Sequence, residues 1–60
     1  MSLIYHRYVN GVHIRFGKYS DYEYAIYIGN RLYATIDNLV DANREYQQIN
    51  ESTVAYLGLA

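Results

Sequence analysis

The first half of the chain alternates between apolar and polar positions, and part of the second half repeats at helical spacing. Leu3 to Val9 and Val12 to Lys18 are β-branched and aromatic runs on either side of Asn10-Gly11. Asn-Gly favours a type I′ turn, because both central residues need positive φ. A two-residue loop there pairs Val9 with Val12, Tyr8 with His13, Arg7 with Ile14, His6 with Arg15 and Tyr5 with Phe16. One face of this hairpin then holds Leu3, Tyr5, Arg7, Val9, Val12, Ile14 and Phe16. The other holds Ile4, His6, Tyr8, His13 and Arg15. The first is the core face. Arg7 is the misfit on it, expected at an edge with its stem buried and its head in water.

After a short connection, Tyr19-Ser20-Asp21, the segments Tyr22 to Ile28 and Leu32 to Ile36 form a second hairpin around Gly29-Asn30-Arg31. A two-residue Gly-Asn loop pairs Ile28 with Arg31; a three-residue loop pairs Ile28 with Leu32. The longer loop is preferred because it gathers Tyr24, Ile26, Ile28, Leu32, Ala34 and Ile36 on one face. Ala25, Tyr27, Tyr33 and Thr35 go to the other. Turn chemistry argues against it, since its third position favours glycine and holds Arg31.

Leu39, Ala42, Tyr46 and Ile49 are spaced three, four and three apart, one apolar stripe of a helix running from Asn38 to Glu51. Asp37 or Asn38 caps it, and Asp41 suits the positive end of its dipole. The tail, Thr53 to Ala60, is apolar and must dock. Thr53 and Val54 favour a short fifth strand over more helix. The expected fold is one α+β domain over residues 1–60, a four-stranded antiparallel sheet of two hairpins with one helix on one face.

Composition narrows the function. Nine of the 60 residues are tyrosine, and cysteine, proline and tryptophan are absent. A chain this short buries only about 60% of its unfolded surface and needs outside support. Disulfides and thiolate metal sites are excluded, and two histidines alone do not close a structural zinc site. A homodimer or larger homo-oligomer is the remaining device. The net charge of −1 disfavours DNA and anionic membranes as partners. No apolar stretch is long enough to span a bilayer, and no signal peptide is legible, so a cytoplasmic location is expected.

So small a core cannot hold nine phenols, and several rings belong on a binding surface. The sheet face away from the helix is expected to show His6, Tyr8, His13, Arg15, Tyr27, Tyr33 and Thr35. In a ligand site, Tyr8, Tyr27 and Tyr33 stack a planar base, each stack worth about 1–3 kcal/mol. Arg15, His6 and His13 hold polar groups, the arginine as a fork for phosphate. A partner copy laying its own face there explains the same composition without a ligand, and the two readings coexist at a subunit seam.

The blander alternatives are specific. His6 and His13 are not opposed in the inferred register and have no carboxylate beside them, a weak metal pair. A histidine base would need a nucleophile and an orienting group, and the face offers only Thr35 and phenols. Tyr8 and His13 can simply pair across the hairpin, and Arg15 can meet Glu23 or Asp21. Tyr22, Tyr24 and Tyr46 are expected to be structural. No glycine-rich phosphate loop opens the helix. No enzyme activity and no cofactor are therefore expected.

The stretch Ile28-Gly29-Asn30-Arg31-Leu32-Tyr33-Ala34-Thr35-Ile36-Asp37-Asn38-Leu39-Val40-Asp41-Ala42 resembles the strand-to-helix step of AP2-like and integrase arm-binding domains. That resemblance implies DNA binding through the sheet, which the charge opposes. In size, tyrosine content and lack of cysteine, the chain also resembles small phage-encoded proteins that blunt bacterial immunity. This second resemblance implies either sequestration of a nucleotide immune signal or inhibition of a host defence protein. Capture of a small nucleotide-like ligand is the leading expectation, with a protein-interaction inhibitor as the alternative.

Overall fold

A computed structural model describes residues 1–59. Strands β1 (Ser2–Val9), β2 (Val12–Ser20), β3 (Glu23–Ile28) and β4 (Arg31–Ile36) form an antiparallel sheet in the order β1-β2-β3-β4. Helices α1 (Leu39–Gln48) and α2 (Glu51–Tyr56) follow. Ile14, Phe16, Ile26 and Ile28 of the central strands meet Ala42, Tyr46, Ile49 and Val54 in the core. The chain is an α+β fold with its helices on one face of the sheet, and no helix among the described residues covers the opposite face.

The first hairpin pairs in the register its turn dictates, from Val9 with Val12 to Tyr5 with Phe16. Asn10 and Gly11 have φ of 52° and 82°, both positive as a type I′ turn requires. Beyond Tyr5 the ladder shifts, and Leu3 pairs with Gly17. Ile4 is the extra residue of this bulge. A bulge re-aims side chains. Here it exchanges two expected positions: Leu3 lies opposite Gly17, off the core face, while Ile4 joins Tyr5 and Phe16 on the helix side.

The second hairpin corrects the preferred register. Its loop has two residues, Gly29 and Asn30, and Ile28 pairs with Arg31. Gly29 alone of the two has positive φ, at 60°, as in a type II′ turn. A bulge at Tyr33 then restores the aliphatic pairing: Ile26 opposes Ala34 and Tyr24 opposes Ile36. The turn obeys local chemistry and the rest of β4 obeys the core. The bulge reconciles them, leaving Leu32 opposite Tyr27 and 52% exposed instead of buried.

Helix α1 is shorter than the expected 38–51 span. Asn38 caps it, accepting from the Asp41 backbone N–H at 3.0 Å. Ile49 is extended and ends it. Leu39, the first residue of the expected stripe, is half exposed. The tail holds a second helix where a fifth strand was expected. Asn50 and Thr53 form a reciprocal capping box, and Val54 is fully buried. Thr53 therefore acts through its hydroxyl as a cap partner, which outweighs its modest strand propensity. Past α2, Gly58 donates to the Ala55 carbonyl and Leu59 to that of Val54, the Schellman pattern that folds Leu57 and Leu59 back on the core. Among the described residues no fifth strand occurs.

Candidate functional site

Pairing across the sheet places His6 on β1, Arg15 on β2, Tyr27 on β3 and Leu32 on β4 in one row. The period of two that buries Ile14, Phe16, Ile26 and Ile28 turns His13, Arg15 and Tyr27 to the uncovered face. Tyr8 and His13 form the neighbouring row, toward the first turn. On the other side, Leu3, Gly17, Ala25 and Thr35 make a low row of mostly small residues. Five of the six expected ligand residues thus share one continuous face: His6, Tyr8, His13, Arg15 and Tyr27. Tyr33 does not join the row; it sits at the β4 bulge, 39% exposed, and Leu32 takes the place expected for it beside Tyr27.

The side chains on this face contact one another. The Tyr8 and His13 rings are stacked, 4.7 Å between centroids and 13° between planes. His6 Nδ1 lies 3.0 Å from His13 Nε2. The two histidines are indeed not directly opposed, but a diagonal across an antiparallel pair is short enough for long side chains to meet. The Arg15 guanidinium lies 5.0 Å from the centroid of the Tyr27 ring, and a long hydrogen bond of 3.4 Å runs to the Gly29 carbonyl. Neither Glu23 nor Asp21 holds it. Among the described residues the one ion pair is Arg44 with Asp41, on the outside of α1.

The tyrosines are disposed as their number requires. Tyr46 is buried, and Tyr24 and Tyr27 are partly covered. Tyr5, Tyr8, Tyr19, Tyr22, Tyr33 and Tyr56 are exposed. Tyr22, expected to be structural, is 81% exposed in the turn between the hairpins.

Arg7 corrects a further expectation. It stays on the core face, and its head is not in water. Its Nη2 donates to the carbonyls of Tyr46 at 3.1 Å and Ile49 at 2.7 Å, at the C-terminal end of α1. No basic residue lies in the last turn of that helix, so Arg7 supplies the positive charge its dipole favours. Arg31 does the same for α2, donating to the Leu57 carbonyl at 3.3 Å.

A groove of about 310 Å³ lies on the helix side of the sheet, lined by Ile4, Tyr5, Phe16, Leu39, Val40 and Asn43. Sequence reasoning missed it because Ile4, one of its lining residues, leaves its expected face at a bulge that has no local signature. The Asn43 Oδ1 atom is buried without a hydrogen-bond partner. Among the described residues no three His, Asp or Glu side chains gather to hold a metal ion, and no helix is long and apolar enough to cross a membrane. The chain matches no family model, no curated protein and no solved structure in the comparisons made.

Proposed function

We propose that the protein is a non-catalytic, homo-oligomeric binding protein that captures a small nucleotide-like ligand on its uncovered sheet face. The observation that carries this reading is the row His6, Arg15, Tyr27, with the Tyr8–His13 stack beside it. Aromatic faces for a base and a guanidinium for a phosphate stand next to each other there. A single sheet face is shallow, whereas small-molecule sites are concave. A second copy laid over the first supplies the missing wall and covers Tyr8, the exposed tyrosine of that face. On the resemblance to small phage proteins, such capture would suppress nucleotide-signalled immunity.

The test is a thermal-shift panel of cyclic dinucleotides and ADP-ribose derivatives, repeated with Tyr27→Ala and Arg15→Ala. A ligand at 100 times its Kd stabilises the folded state by about 2.7 kcal/mol. A shift in the wild type that either variant abolishes supports capture. A flat panel sinks it.

The second reading is inhibition of a host protein by surface contact. The apolar groove at Ile4, Tyr5, Leu39 and Val40 favours it, since exposed apolar patches mark protein interfaces. A stable complex with a defined host protein, lost in Val40→Asp but not in Tyr27→Ala, separates it from ligand capture.

A further inference from the structure

From the geometry of the first hairpin, we propose that His6 and His13 chelate one divalent transition-metal ion per chain. The proposal uses two residues of the nucleotide face but does not require that reading. The two ring nitrogens that face each other, His6 Nδ1 and His13 Nε2, are 3.0 Å apart. Imidazole nitrogens bind zinc at about 2.0–2.1 Å, so two of them at a bond angle between about 90° and 109° stand about 2.9–3.4 Å apart. The observed separation falls inside that span. The strands fix it: Asn10-Gly11 sets the register, and the register sets the diagonal.

In the neutral pair one bridging nitrogen carries a proton and the other accepts it. An ion replaces that proton without net proton release, because the donor ring moves its hydrogen to its outer nitrogen. Each ring then turns so that both lone pairs meet at one point. The rings stand at 82° to each other and His6 is exposed, which leaves room for that turn. His13 is steadied by its stack on Tyr8. The cation opposite His6, Arg15, is drawn away over the Tyr27 ring and does not occupy the space. Water completes the coordination shell. Imidazole donors suit zinc, copper and nickel over magnesium and calcium.

The experiment is calorimetric titration of untagged, chelator-stripped protein with Cu²⁺, beside His6→Gln and His13→Gln. A single saturable site is expected. Each variant should weaken it by about 10²-fold, because the second donor binds at high effective concentration once the first is engaged. Circular dichroism checks that both variants fold. A second measurement needs no variant: Cu²⁺ at substoichiometric amounts should broaden the amide resonances of Tyr8, His13 and Arg15 first. Absence of a saturable site, unchanged affinity in either folded variant, or broadening that starts at the N-terminal amine instead would each overturn the assignment.

Discussion

The guanidinium of Arg7 lies 4.3 Å over the ring of Tyr46 and, at 3.1 Å, donates to that residue's own carbonyl oxygen. One side chain thus ties the edge strand to the end of α1 by a cation–π contact and a charged cap together. Charged hydrogen bonds contribute about 1.5–3 kcal/mol, and a cation–π contact about 0.5–2 kcal/mol. Arg7→Ala should therefore lower stability in urea unfolding by about 2–3 kcal/mol. Arg7→Lys should recover part of that loss, because an ammonium keeps the charge but lacks the planar guanidinium that lies over the Tyr46 ring. A loss near zero for Arg7→Ala would show the cap to be incidental.

Arg15 gives the opposite expectation from the other face of the same sheet. Its one hydrogen bond is long, at 3.4 Å, and its guanidinium stands 5.0 Å from the Tyr27 centroid, so Arg15→Ala should cost less than about 1 kcal/mol. Its effect should fall on ligand binding. If Arg15→Ala destabilises the fold as much as Arg7→Ala does, Arg15 is a structural residue.

Gly17 tests the N-terminal end of β1. A Cβ built there would stand 2.5 Å from the Ser2 carbonyl oxygen and 2.8 Å from Met1 Cγ. The first contact is with backbone, so Gly17→Ala must push Met1 and Ser2 away, at a cost of about 1–3 kcal/mol for overpacking. Hydrogen exchange should show lost protection at Ser2 and Leu3 with the Tyr5–Val9 segment unchanged. Unaltered protection at those two amides would contradict the close approach.

Val54 tests the tail. It is fully buried against the core, and its two methyl groups contribute about 1.5–3 kcal/mol. Val54→Ala should lower the unfolding free energy by that order, and Asn50→Ala, which opens the capping box, by about 1 kcal/mol. Both losses are absent if residues 51–56 do not dock as a helix.

The elements most legible in the sequence were those whose cause is local. Asn10-Gly11 alone carries the information for the register from Val9–Val12 to Tyr5–Phe16. Positive φ at adjacent residues selects the turn, and the turn selects every pair that follows. The same holds for the Asn38 cap and for the buried positions Ala42, Tyr46 and Ile49. Four of the six candidate ligand residues, His6, Tyr8, His13 and Arg15, fall on the expected face because of that turn. The role of Arg7 was illegible because its partners, the carbonyls of Tyr46 and Ile49, are about 40 positions away in sequence.

By itself, then, the sequence determined the two hairpins, the first register, the helix after Asn38 and an excess of phenol rings over core space. Tertiary structure alone decided where Ile4, Leu32 and Tyr33 lie. The type II′ turn at Gly29 demands one register, and the packing of Ala34 and Ile36 beside Ile26 and Tyr24 demands another. Only the three-dimensional fit forces a bulge between them. It also decided where the tail helix docks: the Asn50–Thr53 capping box starts that helix locally, but the buried seat for Val54 exists only once the sheet and α1 have met.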